Sequence, residues 1–125
     1  MRFMMLVKAN TDYEAGKPPS PALMEAIGKA SVDQARAGIL LESGGLLPSS
    51  AGALVRVEKG KIKIIDGPFA EAKELIGGYA VLKASSKEEA IQMGRDFMQL
   101  HVDVLGPDFS GELEVRQMFE HPPGI

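Results

Sequence analysis

The stretch MRFMMLVKA, residues Met1 to Ala9, decides the fold. Its long apolar side chains fall on both alternating faces, which is typical of a strand that is covered on both sides. The stretch therefore predicts a central strand of a sheet. Its apolar centre, Phe3 to Val7, is too short for a secretory core region or for crossing a bilayer, so we expect a cytoplasmic protein without a membrane partner.

After this strand, residues 10–20 combine Asn, Asp, Gly, Lys and two prolines without periodicity and predict a surface loop. A helix is predicted to begin next, because Ser20 is a good N-cap and Pro21 suits the first helical position. Apolar residues recur on one side of it and charged residues on the other, and Gly38 closes it. The apolar side of this helix requires a sheet to pack on.

A second helix is predicted where Ser86 and Glu89 match a capping box. It runs to about His101, with Ala90, Gly94 and Phe97 directed inward, and a loop over 102–111 follows. Five further segments predict strands: 39–42, 53–57, 62–65, 79–82 and 113–119. The glycine pair at 44–45 is expected to break the first of these, and Gly60 supplies the left-handed turn position of a hairpin formed by the second and third.

The order of predicted elements is strand, helix, strand, hairpin, strand, helix, strand. It indicates an α+β domain of ferredoxin-like architecture with an inserted β-hairpin. Two helices cover only one face of such a sheet, yet the strands are apolar on both faces. We therefore expect a homodimer in which two sheets pack face to face, with a pocket between sheet and loops or at the subunit interface.

The amino-acid composition excludes cysteine-dependent sites and disfavours nucleic-acid binding. The 125 residues include no cysteine, which excludes disulfide frameworks, thiolate metal sites and cysteine nucleophiles. Lysine and arginine (14) are outnumbered by aspartate and glutamate (17) and form no cluster, so direct binding of nucleic acid is disfavoured. We expect one domain over residues 1–120 and a separate tail over 121–125, which cannot extend a sheet.

The segment DGPFAEAKELIGGY, Asp66 to Tyr79, closely resembles the signature of the YCII-related family, in the branch named for its Asp-Gly-Pro-Phe tetrapeptide (DGPF). Further parts of the resemblance extend over nearly the whole chain: MRFM at 1–4, AGIL at 37–40, GL at 45–46, PSS at 48–50 and ELEVR at 112–116. It implies a dimeric α+β barrel. For function it implies either a small-molecule enzyme or a noncatalytic accessory protein associated with extracytoplasmic-function sigma factors.

This chain departs from the family pattern at several positions. The wider family has a proposed His-Asp pair whose histidine lies in the first helix, and this chain has no histidine between Ser20 and Gly38. Relatives in the branch commonly have an acid where this chain has Gly44 and a threonine where it has Ala72. Glu42 would share a strand face with position 44 if the strand reaches that far, and we consider it a substitute for the missing acid.

Asp66 is the candidate acid/base, because it ends a strand beside a Gly-Pro break, where a carboxylate can be partly desolvated. The competing interpretation is an Asx turn or a helix cap, which the same residue types favour. Four further residues are candidates for contact with a ligand: Phe69, Lys73, Tyr79 and His101.

Each of these four residues also has a structural interpretation. Phe69 suits core packing, Lys73 a solvated face, and Tyr79 a buried phenol with a satisfied hydroxyl. His101, near a predicted helix C-terminus, suits a favourable interaction with the helix dipole. His121 has no partner at metal-ligand spacing, so the sequence predicts neither a metal site nor a cofactor. It leaves open whether the chain is an enzyme or a noncatalytic binding protein.

Overall fold

The computed structural model describes residues 1–68 and 75–120. These residues form a mixed α+β structure, as the sequence predicts. The strands are β1 (Arg2–Lys8), β2 (Leu40–Gly45), β3 (Ala53–Glu58), β4 (Lys61–Asp66), β5 (Ile76–Lys83) and β6 (Leu113–Gln117). The helices are α1 (Thr11–Glu14), α2 (Pro21–Arg36) and α3 (Lys87–Leu105), and a single 3₁₀ turn covers Ser49–Ala51.

Four strands form an antiparallel sheet in the order β2-β5-β1-β6. The prediction that β1 is a central strand is confirmed, because β5 and β6 flank it. Side chains on β1 alternate between the two faces of the sheet. Phe3 and Met5 are buried, and Met5 lies close to Gly94 of α3. Met4 therefore lies on the opposite face, which we call the open face.

Helix α3 approaches the sheet closely at Gly94. A Cβ atom there would lie 2.9 Å from Leu113 Cδ2 and 3.2 Å from Val115 Cγ2, so a larger residue would require these side chains to shift. The core beneath α3 centres on Phe3, Ala84 and Ala90. Ala90, Gly94 and His101 are the buried residues of α3, which confirms the predicted inward stripe.

The predicted helix N-termini are confirmed. The Ser20 hydroxyl accepts a hydrogen bond from Leu23 N at 3.4 Å, and the Ser86 hydroxyl accepts one from Glu89 N at 3.1 Å. The return contact of the capping box is displaced by one residue, since the Glu89 carboxylate bonds to the backbone N and the hydroxyl of Ser85.

Two of the predicted loops are partly helical. Part of the predicted loop over 10–20 is helix α1, which Asn10 caps by accepting from Tyr13 N at 2.7 Å. Helix α3 continues beyond His101 to Leu105, so His101 lies within the helix rather than at its end.

The prediction that glycine pairs interrupt the strands is wrong. Strand β2 continues through Gly44 and Gly45, and β5 begins at Ile76, before the second glycine pair. Gly44 pairs with Tyr79, and a Cβ on Gly44 would lie 3.1 Å from the Tyr79 ring. The missing side chain therefore makes room for the phenol, and pairing with β5 maintains the strand.

The inserted hairpin is confirmed as a separate two-stranded sheet of β3 and β4. Its turn residues Lys59 and Gly60 have φ angles of 50° and 80°, as a tight left-handed turn requires. One face carries four apolar side chains that are between 67% and 72% exposed: Val55, Val57, Ile62 and Ile64. We call this set the hairpin face.

The four-stranded sheet is open in the described part of the chain, and no closed barrel forms within it. None of the helices formed by residues 1–68 and 75–120 has the length and apolar character needed to cross a membrane.

Candidate functional site

A cavity of about 1450 Å³ is bordered by α2, α3 and the inner face of the sheet. Met5, Leu40 and Leu82 of the sheet, Leu23 and Ile27 of α2, and Met93 and Phe97 of α3 belong to its mainly apolar lining. This volume exceeds what a drug-sized molecule needs, and the lining resembles that of ligand sites, which are largely apolar with a few polar groups.

His101 is the buried histidine of this lining and is 7% exposed. Its Nδ1 lies 2.9 Å from the backbone oxygen of Phe97, one turn earlier in α3. The ring stacks edge-on against Phe97 at 4.8 Å between centroids and lies tilted against Phe109 at 5.3 Å. The helix and two aromatic rings therefore fix the orientation of the imidazole.

Tyr13 of α1 borders the same cavity and fastens α1 to the sheet. Its hydroxyl donates to the Gly77 carbonyl oxygen at 2.9 Å. Burial raises the pKa of Tyr13 above its ordinary value, because desolvation disfavours the charged phenolate. Nearby, Lys17 and Asp12 form an exposed ion pair at 3.3 Å. This end of the cavity is consequently polar.

Tyr79 also borders the cavity, but its register opposite Leu6 directs the phenol to the open face. There the hydroxyl donates to Glu42 Oε1 at 3.1 Å. This hydrogen bond is the main cause that raises the pKa of Tyr79, because the carboxylate favours the protonated phenol. Glu42 and Gly44 do share this face, as predicted for a strand that reaches so far.

The open face also carries a group of three charged residues, Lys8, Glu114 and Arg116. Glu114 Oε1 accepts a hydrogen bond from Lys8 Nζ at 3.3 Å, and its Oε2 pairs with Arg116. The hydrogen bond from Lys8 is the largest cause that lowers the pKa of Glu114, and Arg116 adds to it. The open face thus combines apolar residues with paired charges at its margins.

The structure separates the predicted site residues. Asp66 is exposed at the end of β4, and it is not among the residues that line the large cavity. His101 borders the cavity from α3, and the Tyr79 phenol lies on the opposite face of the sheet. Phe69, Lys73 and the tail over 121–125 lie outside the described residues. Within residues 1–68 and 75–120, no three potential metal ligands come together.

Sequence reasoning missed one buried polar contact beside Asp66. Glu14 Oε1 accepts from Ser49 N at 2.8 Å, and Glu14 Oε2 accepts from the Ser49 hydroxyl at 2.5 Å. Gly67, next to Asp66, packs directly on the Ser49 backbone. The contact joins α1 to the loop before the hairpin, and a short helix within a polar loop gives no periodic signal by which to predict it.

Comparison with known proteins gives two findings. Residues 1–98 match the sequence model of the YCII-related domain. An uncharacterized protein of Rhizobium meliloti (strain 1021) is 33% identical over 79 residues, which are 63% of this chain. The matched region spans 59% of that relative's length.

Proposed function

The chain belongs to the YCII-related domain family, and from this premise we propose that it is a homodimeric protein that binds a small organic molecule. We further propose that it belongs to the DGPF branch, which the segment Asp66 to Tyr79 supports. Strand order β2-β5-β1-β6 is that of a ferredoxin-like domain and supports assembly as a dimeric α+β barrel.

The apolar cavity between the helices and the sheet carries the binding proposal. Ligand sites are concave and mostly apolar, with a few polar groups. An open cleft of about 1450 Å³ bordered by Leu23, Ile27, Met93 and Phe97 has this character and supports a site for a largely apolar guest.

Native mass spectrometry of the purified chain tests this proposal. We expect an organic molecule to remain bound or anilinonaphthalene sulfonate, a probe of apolar sites, to bind in its place. Ala30 borders the cavity, so Ala30→Phe should fill part of it and weaken binding at least tenfold. Ala35 lies on the same helix but is exposed and outside the lining, so Ala35→Phe is the matched control. A parent chain that binds neither would contradict the proposal.

The same experiment also tests for catalysis, because mass spectrometry shows whether the ligand is chemically altered. If the experiment shows turnover, Asp66 is the acid/base candidate, supported by its position at the end of β4 beside the Gly67-Pro68 break. Phe69, Lys73, Tyr79 and His101 are the proposed ligand contacts. Of these, His101 borders the apolar cavity, and the Tyr79 phenol would meet a ligand only on the open face. A ligand recovered chemically altered after incubation with the chain would indicate an enzyme, and one recovered unchanged would indicate a binding protein.

The hairpin face supports the homodimer. Four apolar side chains exposed to this degree on one small sheet form a patch of the kind that marks protein interfaces. The open face of the main sheet supplies a second apolar area around Met4 and Leu6. A second copy of the chain would cover both.

An accessory role beside extracytoplasmic-function sigma factors is the alternative that the family resemblance implies. The hairpin face would then bind a different protein, and a chain that is monomeric in solution would favour that alternative. In either case we propose a cytoplasmic location.

A further inference from the structure

The two ring nitrogens of His101 have different surroundings, and this difference bears on the kind of ligand that the cavity would bind. A backbone carbonyl oxygen only accepts hydrogen bonds, so Nδ1 must carry the proton that is donated to Phe97 O. The neutral imidazole then has its lone pair on Nε2. The bond to the helix backbone also directs Nε2, on the far side of the ring, away from the helix.

Nε2 has no hydrogen-bond partner among the side chains and backbone of residues 1–68 and 75–120. In the same part of the chain, every fully buried polar side-chain atom has a partner. Nε2 must therefore retain accessible surface, and the free space that His101 borders is the cavity. A histidine that is 7% exposed thus presents one acceptor to the mainly apolar cavity, at the end lined by Phe97 and Phe109.

We propose that Nε2 of His101 accepts a hydrogen bond from the ligand, and that the ligand is a flat, largely apolar molecule with one N–H or O–H donor. This inference rests on the proposed binding function and specifies its chemistry. The rings of Phe97 and Phe109, which hold the imidazole, present faces and edges that suit a planar ring system. A ligand without a donor would leave the buried acceptor unpaired, which is unfavourable.

Indole and N-methylindole are suitable probes, because they share one ring system and only indole has a donor. The chain contains no tryptophan, so indole fluorescence reports on the probe alone. We expect the parent chain to bind indole about five- to tenfold more tightly than N-methylindole, the factor that corresponds to one hydrogen bond. In His101→Phe, which keeps an aromatic ring without the acceptor, the preference should fall to less than about twofold while N-methylindole still binds.

The two probes separate the failure of this inference from the failure of the binding proposal. If neither probe binds although anilinonaphthalene sulfonate does, the inferred ligand class is overturned; if none of the three binds and no organic molecule is retained, the proposed function is contradicted. If both bind the parent equally, or if His101→Phe keeps the preference for indole, the cavity binds apolar molecules but His101 does not select them, and the inference is overturned.

A spectroscopic measurement on the parent chain makes the test independent of whether the variant folds. The chain has 2 histidines, so selective ¹⁵N labelling gives two imidazole spin systems. We expect the Nε2 shift of His101 to move on addition of indole but not of N-methylindole. An unchanged shift with bound indole would overturn the inference.

Discussion

Gly67 and Ser49 approach so closely that a Cβ atom on Gly67 would lie 1.7 Å from the Ser49 carbonyl oxygen. Because this neighbour is backbone rather than a flexible side chain, Gly67→Ala should displace the loop and lower the free energy of unfolding by about 2 kcal/mol or more. Gly28 is the matched control, since a Cβ there meets no atom within 4 Å. Gly28→Ala in mid-helix should stabilise the chain by about 0.5–1 kcal/mol. Urea unfolding measures both, and equal stabilities would contradict the steric argument.

The Glu14 carboxylate joins α1 to the loop at Ser49 through two hydrogen bonds. Glu14→Ala should therefore lower the free energy of unfolding by about 1.5–3 kcal/mol, the range for hydrogen bonds to a charged group. Glu25 is exposed on α2, and Glu25→Ala should change stability by less than about 0.5 kcal/mol. A Glu14→Ala variant as stable as the control would show that α1 is held by Tyr13 alone.

Glu42 raises the pKa of Tyr79 through the hydrogen bond on the open face. A phenol whose folded pKa exceeds its unfolded value stabilises the fold at lower pH, and that contribution is lost as pH rises from the unfolded value of about 10 through the folded one. Glu42→Gln should lower the pKa of Tyr79 toward its ordinary value. Ultraviolet titration in a Tyr13→Phe background isolates the phenol, and Glu25→Gln is the control. An unchanged titration curve would remove Glu42 as the cause.

Met4 lies on the open face, whereas Met5 is 3% exposed beneath the helices. Met4→Glu should dissociate the proposed dimer, because it would place a charge between two sheets, where its desolvation is costly even with Arg116 opposite it. Ile91→Glu, at a position of α3 that is 42% exposed, should leave the dimer intact. Light scattering at micromolar concentration measures both variants. A parent chain that is a stable monomer, or a Met4→Glu variant that remains dimeric, would contradict an interface on this face.

Asp66 allows a turn-forming role to be separated from a chemical one. Asparagine keeps the side-chain carbonyl that an Asx turn uses but cannot act as a base. For a turn former, Asp66→Asn should keep the parent's stability and ligand binding, and Asp66→Ala should cost about 1 kcal/mol. We expect this outcome, since Asp66 is outside the cavity lining. An Asn variant that keeps its melting temperature and loses binding or turnover would establish a chemical role.

The parts of the fold that depend on neighbouring residues were predictable from the sequence. Ser20 and Ser86 cap helices through contacts within three residues, and Gly60 supplies a turn geometry that few residues adopt. The apolar alternation of β1 likewise predicted its central position. These signals are local and need no knowledge of the tertiary structure.

Several of the missed features depend on contacts between distant segments. Helix α1 is held by Gly77 and Ser49, 64 and 35 residues away from the side chains they meet. Strand β2 continues through Gly44 because that residue pairs with Tyr79 of β5, whose ring occupies the space that a Gly44 side chain would need. The sequence predicted that His101 faces inward, but the cavity beside it depends on how far α2 stands from the sheet, which no single segment encodes.

The hairpin face also has a consequence for the newly made chain. Both strands of this small sheet have unpaired edges in the described part of the chain, and its apolar residues remain accessible until something covers them. Such segments template intermolecular β-pairing. Lys59, Lys61 and Lys63 lie in or beside the turn, where charge discourages that pairing. The yield of soluble protein will therefore depend on the relative rates of assembly and aggregation. Replacing these three lysines with uncharged residues should increase the fraction found in inclusion bodies on strong overexpression.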